Sequence, residues 1–259
     1  DPSTWATRTR TPGTCAARGA CGVDQATGSP IPCAANVPAA PLDPLAASLL
    51  AGACPGFGAN GTDATALACC DAAQVAWLVA RLAEASSYVG ACPACDAGLR
   101  ALWCGLVCGP DQARAWNVTA PLDWPQGNGT AAPGVAAATV WLAPKAAAAL
   151  HEACRGVILT GSGVPALVDL TGGPLAAGAG GWLNAWGGRH NSSADPAPST
   201  RPASPAGAAL LTFVTNPPPA EAVNATAFTW EVAGCGGACG CADCPTALTV
   251  PGANATTCP

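Results

Sequence analysis

Methionine is absent from the 259 residues, tyrosine occurs once and phenylalanine three times. Charge is sparse too: Asp, Glu, Lys and Arg make up 10% of the chain, for a formal net charge of −5. The ten basic residues are scattered, which excludes the concentrated positive surface that nucleic acid requires. No stretch suits a membrane span. "QVAWLVARLAEA" contains Arg81 and Glu84, and the uncharged run from Leu170 to Gly188 is interrupted by glycines and a proline. No charged-then-apolar leader opens "DPSTW", so any signal peptide is expected to be gone already. Only His151 and His190 are available as imidazoles, and neither stands in a recognisable spacing with a serine, cysteine or aspartate. Carboxylate pairs placed for acid–base work are also missing, so the expectation is a binding protein without enzyme activity or cofactor.

What the chain does have is sixteen cysteines, nine tryptophans and a large alanine content within its 50% hydrophobic residues. Alanine buries little area, so covalent staples would support a core short of large side chains. Six N-x-[ST] sequons begin at Asn60, Asn117, Asn128, Asn191, Asn224 and Asn254. Together with the even cysteine count they indicate an oxidising secretory or luminal compartment and candidate glycosylation at those asparagines.

The segment "CPACDAGLRALWCGLVCGPDQARAWNVT", residues 92 to 119, concentrates the question of what the thiols do. "CPAC" and "CGCADC" match short zinc and redox spacings. Zinc would need about four thiolates held reduced, against the sequons. A redox site would follow a strand in a βαβ context, and no such pattern surrounds Pro93. Structural disulfides are therefore favoured over a metal or redox centre. Cys69 and Cys70, adjacent on a predicted helix, should diverge towards different partners. Cys104 and Cys108, one helical turn apart, could both meet one neighbouring element.

Residues 12 to 62 are rich in Pro, Gly and Ala, with a helix expected only near "DPLAASLLAGAC". Leu67, Val75, Leu78 and Leu82 recur at helical spacing between Thr65 and about Tyr88. A second helix is expected from Pro93 to Cys108, stopped by "GP", and "TVWLAPKAAAALHEACRGV" reads as a third. Residues 160 to 188 loosen into a Gly-rich stretch, and 191–206 reads as a flexible loop. "AALLTFVTNPPP" and "AFTWEVAGC" read as short strands. No internal repeat is present. On this reading helices fill the first two thirds, and short strands and cysteine-rich loops close the chain.

"ACPGFGANGTDATALACCDAAQ", the 92–119 segment, "HEACRGV", "CGCADC" and the opening "CAARGACG" resemble the N-terminal luminal domain of the membrane-bound Niemann–Pick type C sterol transporter family. The resemblance runs from about Cys15 to Cys258. It implies one α+β domain over 1–259, mostly helical and disulfide-rich, with a small mixed β-sheet. It also implies a deep apolar pocket holding a sterol with its 3-hydroxyl at the closed end. The setting it implies is a lysosomal, vacuolar or other secretory-pathway lumen, with a tether to a membrane domain outside this fragment. A small soluble sterol-transfer protein is a candidate partner. The pairing it implies is Cys15–Cys69, Cys21–Cys33, Cys54–Cys104, Cys70–Cys108, Cys92–Cys239, Cys95–Cys154, Cys235–Cys244 and Cys241–Cys258. One further family disulfide, in the region of Thr171 to Gly178, has lost both cysteines here.

The glutamine of the "CCDxxQ" motif, which the resemblance assigns to the sterol hydroxyl, is Gln74. Two other polar family positions fall on Ala20 and Pro32 here; Asn36 and Gln25 are nearby side chains that could replace them. Gln74, Leu78 and Leu82 lie at i, i+4 and i+8, which puts an amide at one end of an apolar stripe. Trp103 and Leu106 are candidate pocket-wall residues and equally candidate core. Leu210, Leu211 and Phe213 are candidates for the entrance. A folate- or riboflavin-receptor-like vitamin binder is the alternative, kept open by the tryptophans, and a ligand-free glycosylated interaction module is a third.

Overall fold

Each long helix begins where the chain supplies a start signal. Asp43 caps α1 (Pro44–Ala53), its carboxylate accepting from the N–H groups of Leu45 and Ala46, with Pro44 preset for the first turn. Asp71 caps α2 (Ala72–Val89), and Pro93 opens α3 (Pro93–Cys108), which stops at Gly109. A single turn, α4 (Gln112–Ala115), follows, and α5 (Pro144–Cys154) again opens on proline. Two further helices are α6 (Ala166–Thr171) and α7 (Gly178–Gly187). These elements come from a computed structural model that describes residues 10–24, 28–54, 67–90, 92–125, 130–159, 163–171, 178–187, 210–216, 218 and 224–230.

The strands are β1 (Thr14–Val23), β2 (Pro30–Pro38), β3 (Ala40–Pro41), β4 (Leu67–Ala68), β5 (Trp116–Pro125), β6 (Ala131–Trp141) and β7 (Leu210–Val214). β6 is the hub of a five-stranded mixed sheet. β5 lies antiparallel along its length, β2 meets it at Gly134, and β7 runs parallel to it from Ala137 to Trp141. β1 extends the sheet through β2, and β3 and β4 form a separate pair. The fold is α+β, as expected, but its layout corrects the sequence reading in three places.

First, residues 14–38 and 116–141 carry most of the sheet, in the part of the chain expected to be helical or irregular. Their alanines and glycines give no clear alternation; pairing with remote strands sets their conformation. Second, the 160–188 stretch holds α6 and α7 rather than only loose chain. Third, α2 starts at Ala72, not Thr65, because Leu67 and Ala68 pair with β3 and Asp71 supplies the cap. Cys69 and Cys70 therefore precede the helix. Of the two strands expected late in the chain, β7 is present, and "AFTWEVAGC" contributes a bridge between Phe228 and Leu142. The 191–206 segment lies outside the described residues.

Apolar side chains from α2, α3, α5, α6, α7 and β7 merge into one core that includes Leu78, Leu99, Leu150, Leu167, Trp182 and Leu211. Disulfides join its margins. Cys15–Cys69, Cys21–Cys33, Cys54–Cys104, Cys70–Cys108 and Cys95–Cys154 are formed, the pairs the resemblance implies for those cysteines. Cys92 is disulfide-bonded as well. The implied pairs Cys92–Cys239, Cys235–Cys244 and Cys241–Cys258 involve residues outside the described ones. Cys104 and Cys108 do not share a neighbour: one reaches the end of α1 and the other the turn before α2, so α3 is clamped to both. A polar cluster reinforces the joint. Arg100 donates to Asp96 (2.7 Å), to Ser86 Oγ (2.6 Å) and to the carbonyl of Ala53 (3.1 Å), and Ser86 also bonds Asp96.

Candidate ligand-binding site

Gln74 is the third residue of α2 and is buried, at 8% exposure. It completes a capping box: its N–H donates to Asp71 Oδ1 (2.9 Å), and its Oε1 accepts from the Asp71 N–H (3.1 Å). The same oxygen accepts a second backbone donor, the N–H of Gly19 on β1, at 2.6 Å. Gly19 has φ of +78°, a conformation glycine adopts without strain, and a Cβ there would lie 3.3 Å from Asp71 Oδ2. The irregular middle of β1, between Ala17 and Ala20, is thus fitted against the start of α2. Ala20, next in the chain, pairs with Pro32 across β1 and β2. The structure therefore brings positions 20, 32 and 74 together around Gly19, although they are far apart in sequence. Asn36 lies exposed on β2, and Gln25 is outside the described residues.

The apolar candidates converge as well. Leu78 and Leu82 on α2, Trp103 and Leu106 on α3, and Leu211 and Phe213 on β7 belong to one buried cluster. Trp103 and Phe213 meet edge to face, their ring centroids 5.9 Å apart. Phe213 is fixed by Asn184 of α7, whose amide accepts from the Phe213 N–H (2.6 Å) and donates to its carbonyl (3.1 Å). Leu78 and Trp103 are 0% exposed, and Leu82, Leu106 and Leu211 1% each, so protein atoms cover them almost entirely. Leu210 opens β7 opposite Ala137.

The family described as the Niemann-Pick C1 N terminus matches residues 12–257. The chain belongs to that family. Among curated proteins, none matches it significantly. Niemann-Pick C1 N-terminal domains bind sterols, sit on the luminal side of a membrane and are binding rather than enzymatic domains. No helix among the described residues is long and apolar enough to cross a membrane, and no group of metal-ligating side chains is present among them.

Two buried or half-buried amides that brace this region had no distinct signal in the sequence. Gln112 of α4 is buried and uses its whole amide. Oε1 accepts from the N–H groups of Ala16 (3.0 Å) and Ala17 (2.8 Å), and Nε2 donates to the carbonyls of Leu106 (2.9 Å) and Val107 (3.2 Å). It ties β1 to the end of α3, and with Gln74 it fixes β1 at two points. Asn184 is the other, and the only signal for either was an amide inside a helix. Gln112 also borders a cavity of about 280 Å³ between the end of α3, α4 and residues 226–229. Leu106 is the one ligand-site candidate that lines it.

Of the sequon asparagines, Asn117 and Asn224 are described. Asn117 lies half-buried on β5, and its Oδ1 accepts from Arg10 (3.0 Å). Arg10 is buried over the Trp141 ring, and desolvation lowers its pKa. Asn224 is exposed in a turn with φ of +61°.

Proposed function

We propose that this Niemann-Pick C1 N-terminal domain encloses a sterol with its 3-hydroxyl at the closed end beside Gln74, as the luminal receiving domain of a sterol transporter. The observation that carries the reading is the family match over residues 12–257; the resemblance of the "CCDxxQ" motif implies the hydroxyl role for Gln74. Local geometry supports it. Gln74 is buried, held by two backbone contacts, and followed along α2 by Leu78 and Leu82. Apolar burial at about 25 cal/mol per Å² would supply most of the gross binding energy, and the amide would fix orientation. Glutamine does not titrate, so the contact would persist in an acidic lumen. Because Leu78, Leu82 and Trp103 are covered by protein here, admitting a ligand beside them requires neighbours to move. A small soluble transfer protein as donor remains part of this proposal, as do the lysosomal setting and the roles of Trp103, Leu106, Leu211 and Phe213.

Saturation binding of labelled cholesterol, with unlabelled cholesterol, ergosterol, a 3-acetyl sterol ester and folate as competitors, tests the reading. Competition by the free sterols but not by the ester or folate is expected. No saturable cholesterol binding, with saturable binding of labelled folate, would replace the sterol with a vitamin, and full competition by the ester would show that the hydroxyl end is open.

A further inference from the structure

Gln74 cannot offer a ligand both halves of its amide. The two groups beside its side-chain oxygen are backbone N–H donors, those of Gly19 and Asp71, so the hydrogen-bond network fixes which end is oxygen. Two donors occupy both lone pairs of Oε1. What is left is Nε2, which donates only and makes no hydrogen bond among the described residues. Ala20 and Pro32, the paired positions beside Gly19, carry no side-chain acceptor. A hydroxyl placed there accepts from Nε2 but finds no side-chain partner at these positions for its own proton. A ketone oxygen only accepts, and Nε2 satisfies it completely.

We propose that the side chains at positions 20, 32 and 74 offer a ligand a donor only, so that the chain binds 3-ketosteroids at least as tightly as the matching 3-hydroxysteroids. This rests on the sterol-binding reading above, and it names the ligand chemistry that Gln74, Ala20 and Pro32 select. Asp71 supplies a competing acceptor nearby: Oδ1 takes the Gln74 N–H, and Oδ2 lies near Gly19.

The test compares 5α-cholestan-3β-ol with 5α-cholestan-3-one, which differ only at C3, on the parent protein and on Gln74→Glu. Glutamate keeps an oxygen for Gly19 and Asp71 while replacing the donor with a second acceptor. The expected result is equal affinity, or up to about tenfold tighter binding of the ketone, in the parent. In Gln74→Glu the order should reverse, the ketone losing about tenfold or more. A purely structural glutamine would not produce that reversal. A parent that prefers the alcohol by tenfold overturns the proposal, and loss of that preference in Asp71→Asn would identify the acceptor. Absence of binding by both steroids would instead remove the sterol reading itself, and this inference with it.

Discussion

Ala20 and Pro32 face each other across the β1–β2 ladder, and the residue before Ala20 donates its N–H to Gln74. The two polar family positions that the resemblance puts at Ala20 and Pro32 are therefore one local place on the sheet. Restoring an acceptor at either should act on the same ligand atom. Ala20 is exposed, so Ala20→Glu carries little packing cost. It is expected to raise 3-hydroxysterol affinity by about five- to tenfold, the worth of one recovered hydrogen bond. Pro32→Asn should gain less, since Pro32 is buried and its loss frees backbone. Titration calorimetry at pH 5 and pH 7 measures both, and no gain in either would mean that these positions do not face the ligand.

Gln74 has a structural role that separates its variants. Leucine leaves the half-buried N–H groups of Gly19 and Asp71 without their acceptor, at about 0.5–1.5 kcal/mol each. Glutamate preserves the capping box and both contacts. Thermal unfolding should therefore show Gln74→Leu clearly destabilised and Gln74→Glu close to the parent. Equal melting of the two would contradict the double-acceptor geometry, and weaker binding in Gln74→Leu alone cannot be assigned to the ligand.

Those roles mark where the sequence stopped being legible. Start signals at Asp43, Asp71, Pro93 and Pro144 are local, and the helices begin at them or one residue later. The motif around Gln74 was readable, but the Asp71 cap three residues before it was passed over, because the helical pattern reads from Thr65. Its bond to Gly19 spans 55 residues, and that of Gln112 to Ala16 spans 96. No spacing within a window announces either. The strands failed for the same reason: "TCAARGACGV" and "AAPGVAAATVW" hold residues with little β-propensity, and partners supplied by the rest of the fold decide their state.

Gln112 gives the sharpest stability expectation. Gln112→Ala removes two acceptor and two donor contacts from buried backbone in one step. A loss of about 3 kcal/mol or more is expected, lowering Tm by roughly 6–12 °C for a chain of this size. Calorimetry against an exposed control such as Lys145→Ala checks it. A shift no larger than the control's would show that water replaces the amide.

Every described cysteine is disulfide-bonded, and no metal-ligating cluster occurs among the described residues. A strong chelator should leave Tm unchanged, whereas reductant should unfold the domain, each lost bridge costing about 2–5 kcal/mol. A fall in Tm with chelator would revive a zinc site.

Gly105 poses a contest of two effects of known sign. Alanine in a helix gains about 1 kcal/mol over glycine. A Cβ at Gly105, however, would overlap Phe228 Cζ. Phe228 cannot retreat freely: it stacks on Trp230 with centroids 5.5 Å apart, and its N–H and carbonyl bond Trp141 and Ala143. Overpacking of this kind costs about 1–3 kcal/mol, so Gly105→Ala should be net destabilising. In a Phe228→Ala background the obstacle is gone and only the helical gain remains, so the same substitution should become stabilising. A double-mutant cycle by denaturant unfolding reads that change of sign. A penalty for Gly105→Ala that is the same in both backgrounds would mean that Phe228 does not close over α3.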